Sequence, residues 1–327
     1  MRLFGIILRT SPRKRWFFLR MFFACGVVVT LLLYIVFSQR VKVIPAKDSW
    51  DLPVIWSPIK DEAEVPPVPP LPNILYINAS KITLSLDQSE QDIEDNFFEF
   101  LIRKEIWCKR NERLGHQGAG GWNVCLSPPF GLIKPCIVYL IGTGANTEFD
   151  DAVSYIYGCH VHVFNPAKKK LNRKKSNLIH VHNLGLSKKD DSSPEGWTTV
   201  TFKKLLEQNG HLQTIISYVK VDLEYQEWAC LKTIFADNSL ANVKQLAFEI
   251  HTVLPGNSSN VRPTKYDYIE MYKTLSLLLP LNFHKFDYRR NPFGEYISPV
   301  TKKHRSYAYE LYYVNTKYTL EDYDAEV

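Results

Sequence analysis

Four places in the chain combine a run of apolar, strand-like residues with side chains or backbone that could do chemistry at its end. Gly142-Thr143-Gly144 follows Cys136–Ile141, Asn165 follows His160–Phe164, Asp222 and Glu224 follow Thr214–Val221, and His251 closes Gln245–His251. The two glycines permit a sharp turn and a close approach of a ligand to the backbone. Three carboxylates, Glu148, Asp150 and Asp151, open the helix expected next. They suit the helix dipole but would repel a pyrophosphate. A cationic adenosine is the better match, and the sulfonium and ammonium groups of S-adenosylmethionine fit that description. Asn165 offers both a donor and an acceptor, as binding of ribose hydroxyls requires, but Asn165-Pro166 reads equally well as a turn. Asp222, Glu224 and His251 can each accept a proton. Taken singly, each is as well explained by a turn or a helix cap; it is their joint position at strand ends that points to a site.

The elements that must place these residues follow from periodicity. Cys136–Ile141 is a continuous apolar run, as expected of a strand buried on both faces. Thr147 is placed to cap the following helix, with Asp150 three residues on, and Gly158 to close it. Residues 87–107, Phe202–Gln208, 226–236 and Tyr266–Leu279 read as helices, and Leu178–His182, Asn282–Tyr288 and Tyr307–Val314 as further strands. Such alternation requires an α/β fold, a mostly parallel sheet with helices on both faces. Ligands bind such sheets outside the carboxyl ends of the strands.

The 327 residues suffice for one large or two small domains, and an apolar content of 45% permits a full core. The net charge of +6 is mild. The basic cluster Lys168, Lys169, Lys170, Arg173, Lys174 and Lys175 has no interleaved aromatics, so no nucleic-acid partner is expected. Cys108 and Cys125 bracket a glycine-rich loop and suggest a disulfide, against two buried thiols. No CxxC pair is present, so no metal site is expected.

The first twenty residues carry six basic and no acidic side chains, and Met21–Ser38 then runs 18 residues without a charge. As a helix this nearly spans a hydrocarbon core of about 30 Å. The expected organisation is a cytosolic basic tail (1–20), a transmembrane signal anchor (21–38), a proline-rich lumenal stem (39–86) and a catalytic domain (87–327). Positive charge before the span makes this a single-pass type II membrane protein of the endoplasmic reticulum or Golgi. Asn78-Ala79-Ser80 and Asn257-Ser258-Ser259 match the glycosylation sequon, which has meaning for a lumenal domain.

Gly121-Trp122-Asn-Val-Cys125, Ile141-Gly-x-Gly144, Phe149-Asp-Asp151, Val163-Phe-Asn-Pro166, Gly185-Leu-Ser187, Val219-Lys-Val-Asp-Leu-Glu224, Glu227-Trp228 and Glu249-Ile-His251 occur in this order. Together they resemble a eukaryotic methyltransferase-like family, itself similar to FkbM-type class I S-adenosylmethionine-dependent methyltransferases. The resemblance spans roughly 108–315. It implies a Rossmann-like, seven-stranded sheet whose last strand is antiparallel. It also implies that Gly142 and Gly144 line the methionine end of the cofactor, Asn165 the ribose, and Asp222 and Glu224 the methyl acceptor. Two positions depart from the family pattern: Asn165 stands where an Asp is usual, and Tyr225 where a Gly is usual.

The reading is a membrane-anchored methyltransferase whose cofactor-binding residues are Gly142, Thr143, Gly144 and Asn165 and whose candidate bases are Asp222, Glu224 and His251. The acceptor could be a glycan, a lipid or a protein side chain. One alternative is a degenerate, non-catalytic binding or scaffold domain. Another is a type II glycosyltransferase using Asp222 and Glu224 as a metal-binding pair.

Overall fold

The computed structural model describes residues 73–78, 80–118, 120–142, 147–166, 176–192, 197–253, 262–292 and 294–321. They belong to the compact unit that starts at Pro69. The basic tail, the apolar run Met21–Ser38, most of the proline-rich stretch, the cluster Lys168–Lys175 and the Asn257 sequon lie outside the described residues. Among the described residues no helix is long and apolar enough to cross a membrane.

Four strands precede the nucleus of the fold: β1 (Ile74–Tyr76), β2 (Ile106–Cys108), β3 (Asn111–Leu114) and β4 (Trp122–Cys125). β1 pairs antiparallel with β2, and β3 with β4. The domain therefore takes up part of the stretch that composition assigned to the stem, which extended to residue 86. Helix α1 (Glu90–Ile102) lies between the first two strands and is capped by Ser89, whose side chain accepts from the Asp92 N–H. It is shorter than the 87–107 expected, because Ile106 enters β2.

The central unit is β5 (Ile137–Gly142), α2 (Glu148–Ile156), β6 (His160–Phe164) and β7 (Ile179–His182). Three short strands follow, β8 (Gly185–Leu186), β9 (Asp191–Ser192) and β10 (Thr198–Val200), forming their own sheet before α3 (Phe202–Gln208). Then come β11 (Tyr218–Asp222), α4 (Glu227–Ala236), β12 (Gln245–His251), α5 (Lys265–Ser276) and β13 (Phe283–Arg290). The hairpin β14 (Glu295–Ile297) and β15 (His304–Ser306) precedes β16 (Ala308–Asn315) and α6 (Lys317–Glu321).

The main sheet has the order β13-β16-β12-β11-β5-β6-β7. The five strands from β12 to β7 are parallel to one another; β16 runs antiparallel between β12 and β13. This is the seven-stranded, mostly parallel α/β sheet that the motifs implied.

Alternate residues of β5 enter two cores. Tyr139 and Ile141 join one with Phe97, Phe202, Leu231 and Tyr268 from α1, α3, α4 and α5; Val138 and Leu140 join the other with Trp122, Phe149 and Val153. A strand with apolar side chains on both faces must be central, which explains the continuous apolar run. Two details differ from expectation. Thr147 does not cap the helix backbone; its hydroxyl donates to the Asp151 carboxylate at 3.1 Å. The strand expected over Thr214–Val221 begins at Tyr218, with only an isolated bridge at Ile216.

Cys108 and Cys125 form the expected disulfide, tying β2 to β4. A second, Cys136–Cys159, was not anticipated. Each of its cysteines immediately precedes one of two neighbouring parallel strands, Ile137 pairing with His160. Cys230 is a buried free thiol.

Candidate functional site

The register brings the predicted residues together. Gly142 pairs with Asp222 across β5 and β11, and Ile141 pairs with Phe164, so Asn165 is the next residue beyond β6 beside Gly142. Val221 pairs with Phe248, placing Glu249 beside Asp222. The carboxyl ends of β6, β5, β11 and β12 thus present Asn165, Gly142, Asp222, Glu249 and His251 in a row. Thr143 and Gly144 lie outside the described residues.

Gly142 is required by its neighbours. Its φ is +148°, and a Cβ there would meet the Asp222 carbonyl oxygen at 2.0 Å. Asn165 is 1% exposed, and its N–H donates to the His182 carbonyl at 3.1 Å, which fixes the end of β6 against β7.

Asp222 is engaged on one side only. Oδ2 accepts from Lys220 Nζ at 3.1 Å, and that ammonium also lies 4.7 Å from the centre of the Trp122 ring. Oδ1 is buried without a hydrogen-bond partner among the described residues. A buried carboxylate oxygen left unpaired is costly, and a ligand donor would remove that cost. This vacancy in hydrogen bonding fits the ammonium or hydroxyl of an adenosyl amino acid. The residues present therefore suit S-adenosylmethionine.

His251 is held by a carboxylate. Its Nδ1 meets Glu227 Oε1 at 2.7 Å, and its backbone N–H donates to the same oxygen at 2.6 Å. Glu227 itself is fully buried. Burial pulls the imidazole down, but the hydrogen bond and charge of Glu227, with Glu249 and Glu224, outweigh it and raise the pKa. On its other side the Tyr225 ring packs against the imidazole, centroids 3.9 Å apart. Glu224 and Tyr225 both have left-handed φ, +47° and +73°. Glycine would adopt this conformation without strain, which accounts for the glycine expected there.

Glu249 is the carboxylate most changed by the site. Burial, then the charge of Asp222, with Glu310 and Glu224, push it up to about 7, against the opposing charge of His251. A group that titrates near neutrality at a cluster of strand ends can take up a proton in the working pH range. Beyond it, Glu310 is held by Arg113 at 2.9 Å and Arg289 at 3.1 Å. Arg113 reaches in from the β3–β4 hairpin and also donates to Asn123 and Tyr312.

Sequence reasoning missed Lys220, Glu227, Glu310 and Arg113. Glu227 had a signal: it opens the helix after Asp222, as Glu148 opens the one after Gly142. The partners of Arg113 lie nearly two hundred residues away, beyond any local pattern. Of the pair Asp222 and Glu224 considered above as a metal site, Asp222 has one oxygen, Oδ2, tied to Lys220. Among the described residues no group of three or more His, Cys, Asp or Glu side chains could hold a metal ion.

A mostly parallel sheet with one antiparallel strand, and a glycine strand end beside an acidic one, define a Rossmann-like α/β domain of the methyltransferase kind. The chain belongs to the methyltransferase-domain family, which matches residues 78–294. It is 30% identical over 146 residues to the human protein named "probable methyltransferase-like protein 24", and 30% identical over 145 residues to its rat counterpart. Each match covers 41% of this chain and 39% of the relative, so the chain spans less than half the length of these curated relatives. Solved structures of a "human methyltransferase 10 domain containing protein" and of a "putative methyltransferase from Thermoplasma acidophilum" are also similar. They are 13% and 11% identical, with TM-scores of 0.32 and 0.30, and cover 71% and 57% of this chain and 87% and 70% of their own.

Proposed function

We propose that this chain is an S-adenosylmethionine-dependent methyltransferase of the secretory pathway, held by Met21–Ser38 in the endoplasmic reticulum or Golgi membrane with its domain lumenal. The acceptor is a hydroxyl or acid group of a glycan, a lipid or a protein side chain. The observation that carries the reading is the adjacency of Gly142, Asn165 and Asp222 at three neighbouring strand ends, with Asp222 Oδ1 buried and without a hydrogen-bond partner among the described residues. Two disulfides support an oxidising compartment. Asn78 of the first sequon is exposed, as glycosylation requires.

Bound in this site, S-adenosylmethionine would supply an electrophilic methyl group. Gly142, Thr143 and Gly144 would admit it against the backbone, and Asn165 would hydrogen-bond its ribose. Asp222 would accept from its ammonium or from the incoming hydroxyl. Glu249 or Glu224 would take the proton the acceptor gives up. His251, clamped by Glu227, serves to position Tyr225 and the strand end.

The test is retention of tritiated S-adenosylmethionine by the full-length chain at millimolar cofactor. Binding that falls about tenfold or more in Asp222→Asn, a loss of about 1.4 kcal/mol, supports the reading. No retention by the unaltered chain overturns it. A second reading, a fold kept for binding without catalysis, is favoured by the Tyr225 ring packed on His251. Cofactor binding that appears only in the Asn165→Asp, Tyr225→Gly double variant would establish that reading instead.

A further inference from the structure

The β3–β4 hairpin meets the candidate site at three points. From β3, Arg113 holds Glu310, which pairs with Glu249 across β16 and β12. From β4, the Trp122 ring lies 4.7 Å from the Lys220 ammonium, and that ammonium holds Asp222 Oδ2. At the turn, Gly115 rests on the start of α2. Its φ is +81°, and a Cβ there would meet the Phe149 backbone nitrogen at 2.8 Å. A larger residue would push the turn off the helix. The hairpin therefore borders both the strand ends that carry Asp222 and Glu249 and the helix that follows Gly142.

The turn is held in one shape. Arg113 Nη2 donates to the Gly118 carbonyl at 2.9 Å, and Nε donates to the His116 carbonyl at 3.3 Å. The Gly118 N–H donates to His116 Nδ1 at 2.9 Å. An Nδ1 that accepts leaves Nε2 as the donor of the ring. His116 is exposed, so that N–H is available to a ligand.

S-adenosylmethionine brings a carboxylate as well as an ammonium and a sulfonium. Asp222 Oδ1 suits the ammonium. Among the described residues of the strand ends the carboxylate finds no such match. Glu148, Asp150 and Asp151 occupy the first turn of α2, and Lys220, Arg113 and Arg289 are already paired with Asp222 and Glu310. A neutral N–H beside that first turn can meet an anion without drawing one of these cations from its partner.

We propose that His116 binds the carboxylate of S-adenosylmethionine through Nε2–H, on a turn that Arg113 holds in place. The proposal rests on the S-adenosylmethionine reading above and names a further residue of the same site.

The experiment is equilibrium dialysis of the full-length chain against S-adenosylmethionine and against decarboxylated S-adenosylmethionine, which differs only in lacking the carboxylate. His116→Ala should weaken binding of S-adenosylmethionine about tenfold and leave that of the decarboxylated compound within about twofold of the parent. Retained binding of the decarboxylated compound also shows that the variant is folded. Equal affinity of parent and variant for S-adenosylmethionine, or an equal loss for both compounds, overturns this proposal and leaves the methyl-donor reading standing. Binding of neither compound by the parent overturns both.

Discussion

Glu249 sits among like charges: Asp222 beside it on β11, Glu310 opposite it on β16, and Glu224 just beyond. Its carboxyl group, at about 7, holds a proton more tightly folded than unfolded. The sign follows from linkage: stability is highest below the unfolded value near 4.5 and falls as pH rises toward about 7. Glu249→Gln removes that loss. The variant should therefore gain on the order of 2 kcal/mol relative to the parent between pH 5 and pH 8. Urea denaturation at the two pH values checks this; parallel pH dependence in the two proteins would refute it. At this scale the sequence showed which residues end strands, because a run of apolar residues stops visibly at Gly142, Asn165, Asp222 and His251. It did not show what holds them. Lys220 and the Arg113–Glu310–Arg289 group act through contacts set by tertiary packing, as does the buried Glu227 carboxylate that meets Nδ1 of His251.

Between elements, a single side chain does much of the joining. Gln245 is fully buried at the start of β12, where its Oε1 accepts the Cys125 N–H at 2.9 Å. Its Nε2 donates to the Cys125 and Phe130 carbonyls at 3.1 and 2.8 Å. Gln245→Leu would leave three buried backbone groups unpaired and should cost about 2–4 kcal/mol, read as a lowered thermal midpoint. At the opposite edge, His160, His162, His180 and His182 interleave across β6 and β7. The nitrogen pairs His160–His180 and His162–His182 are 3.2 and 3.0 Å apart. His211 packs edge-on against His162 and bonds the Tyr139 hydroxyl at 2.7 Å. Burial, then the neighbouring imidazoles His182, His180 and His211, depress His162 to about 3, with a hydrogen bond to Asn209 opposing. His180, His182 and His211 are also lowered, by burial first. These rings stay neutral when folded, so their contribution is intact above the unfolded value of about 6.5 and is lost as pH falls below it. Hydrogen exchange in residues 178–183 should accelerate beyond its intrinsic pH dependence between pH 7 and pH 5. His162→Asn and His180→Asn should each flatten that response; an unchanged response in both would refute it. The alternation His-Val-His announced two strands, but their side-by-side placement, and hence the ladder, depended on a register that the sequence does not state.

Across the molecule, the mostly parallel sheet was implied by strand–helix alternation and its seven strands by the motif resemblance; the order of those strands was not stated by either. The small β8–β10 sheet and the β14–β15 hairpin were not legible, since strands of two or three residues carry no period. The Cys136–Cys159 disulfide closes the entry of the central βαβ unit. Replacing both cysteines by alanine should cost about 2–4 kcal/mol; equal thermal midpoints would count against that role. The central claim concerns three strand ends acting as one site. Hydrogen-exchange mass spectrometry of the full-length chain, with and without S-adenosylhomocysteine, tests it most directly. The account predicts simultaneous protection of the peptides covering 137–142, 160–166 and 218–225. Protection of none of these, or of one without the others, would contradict it.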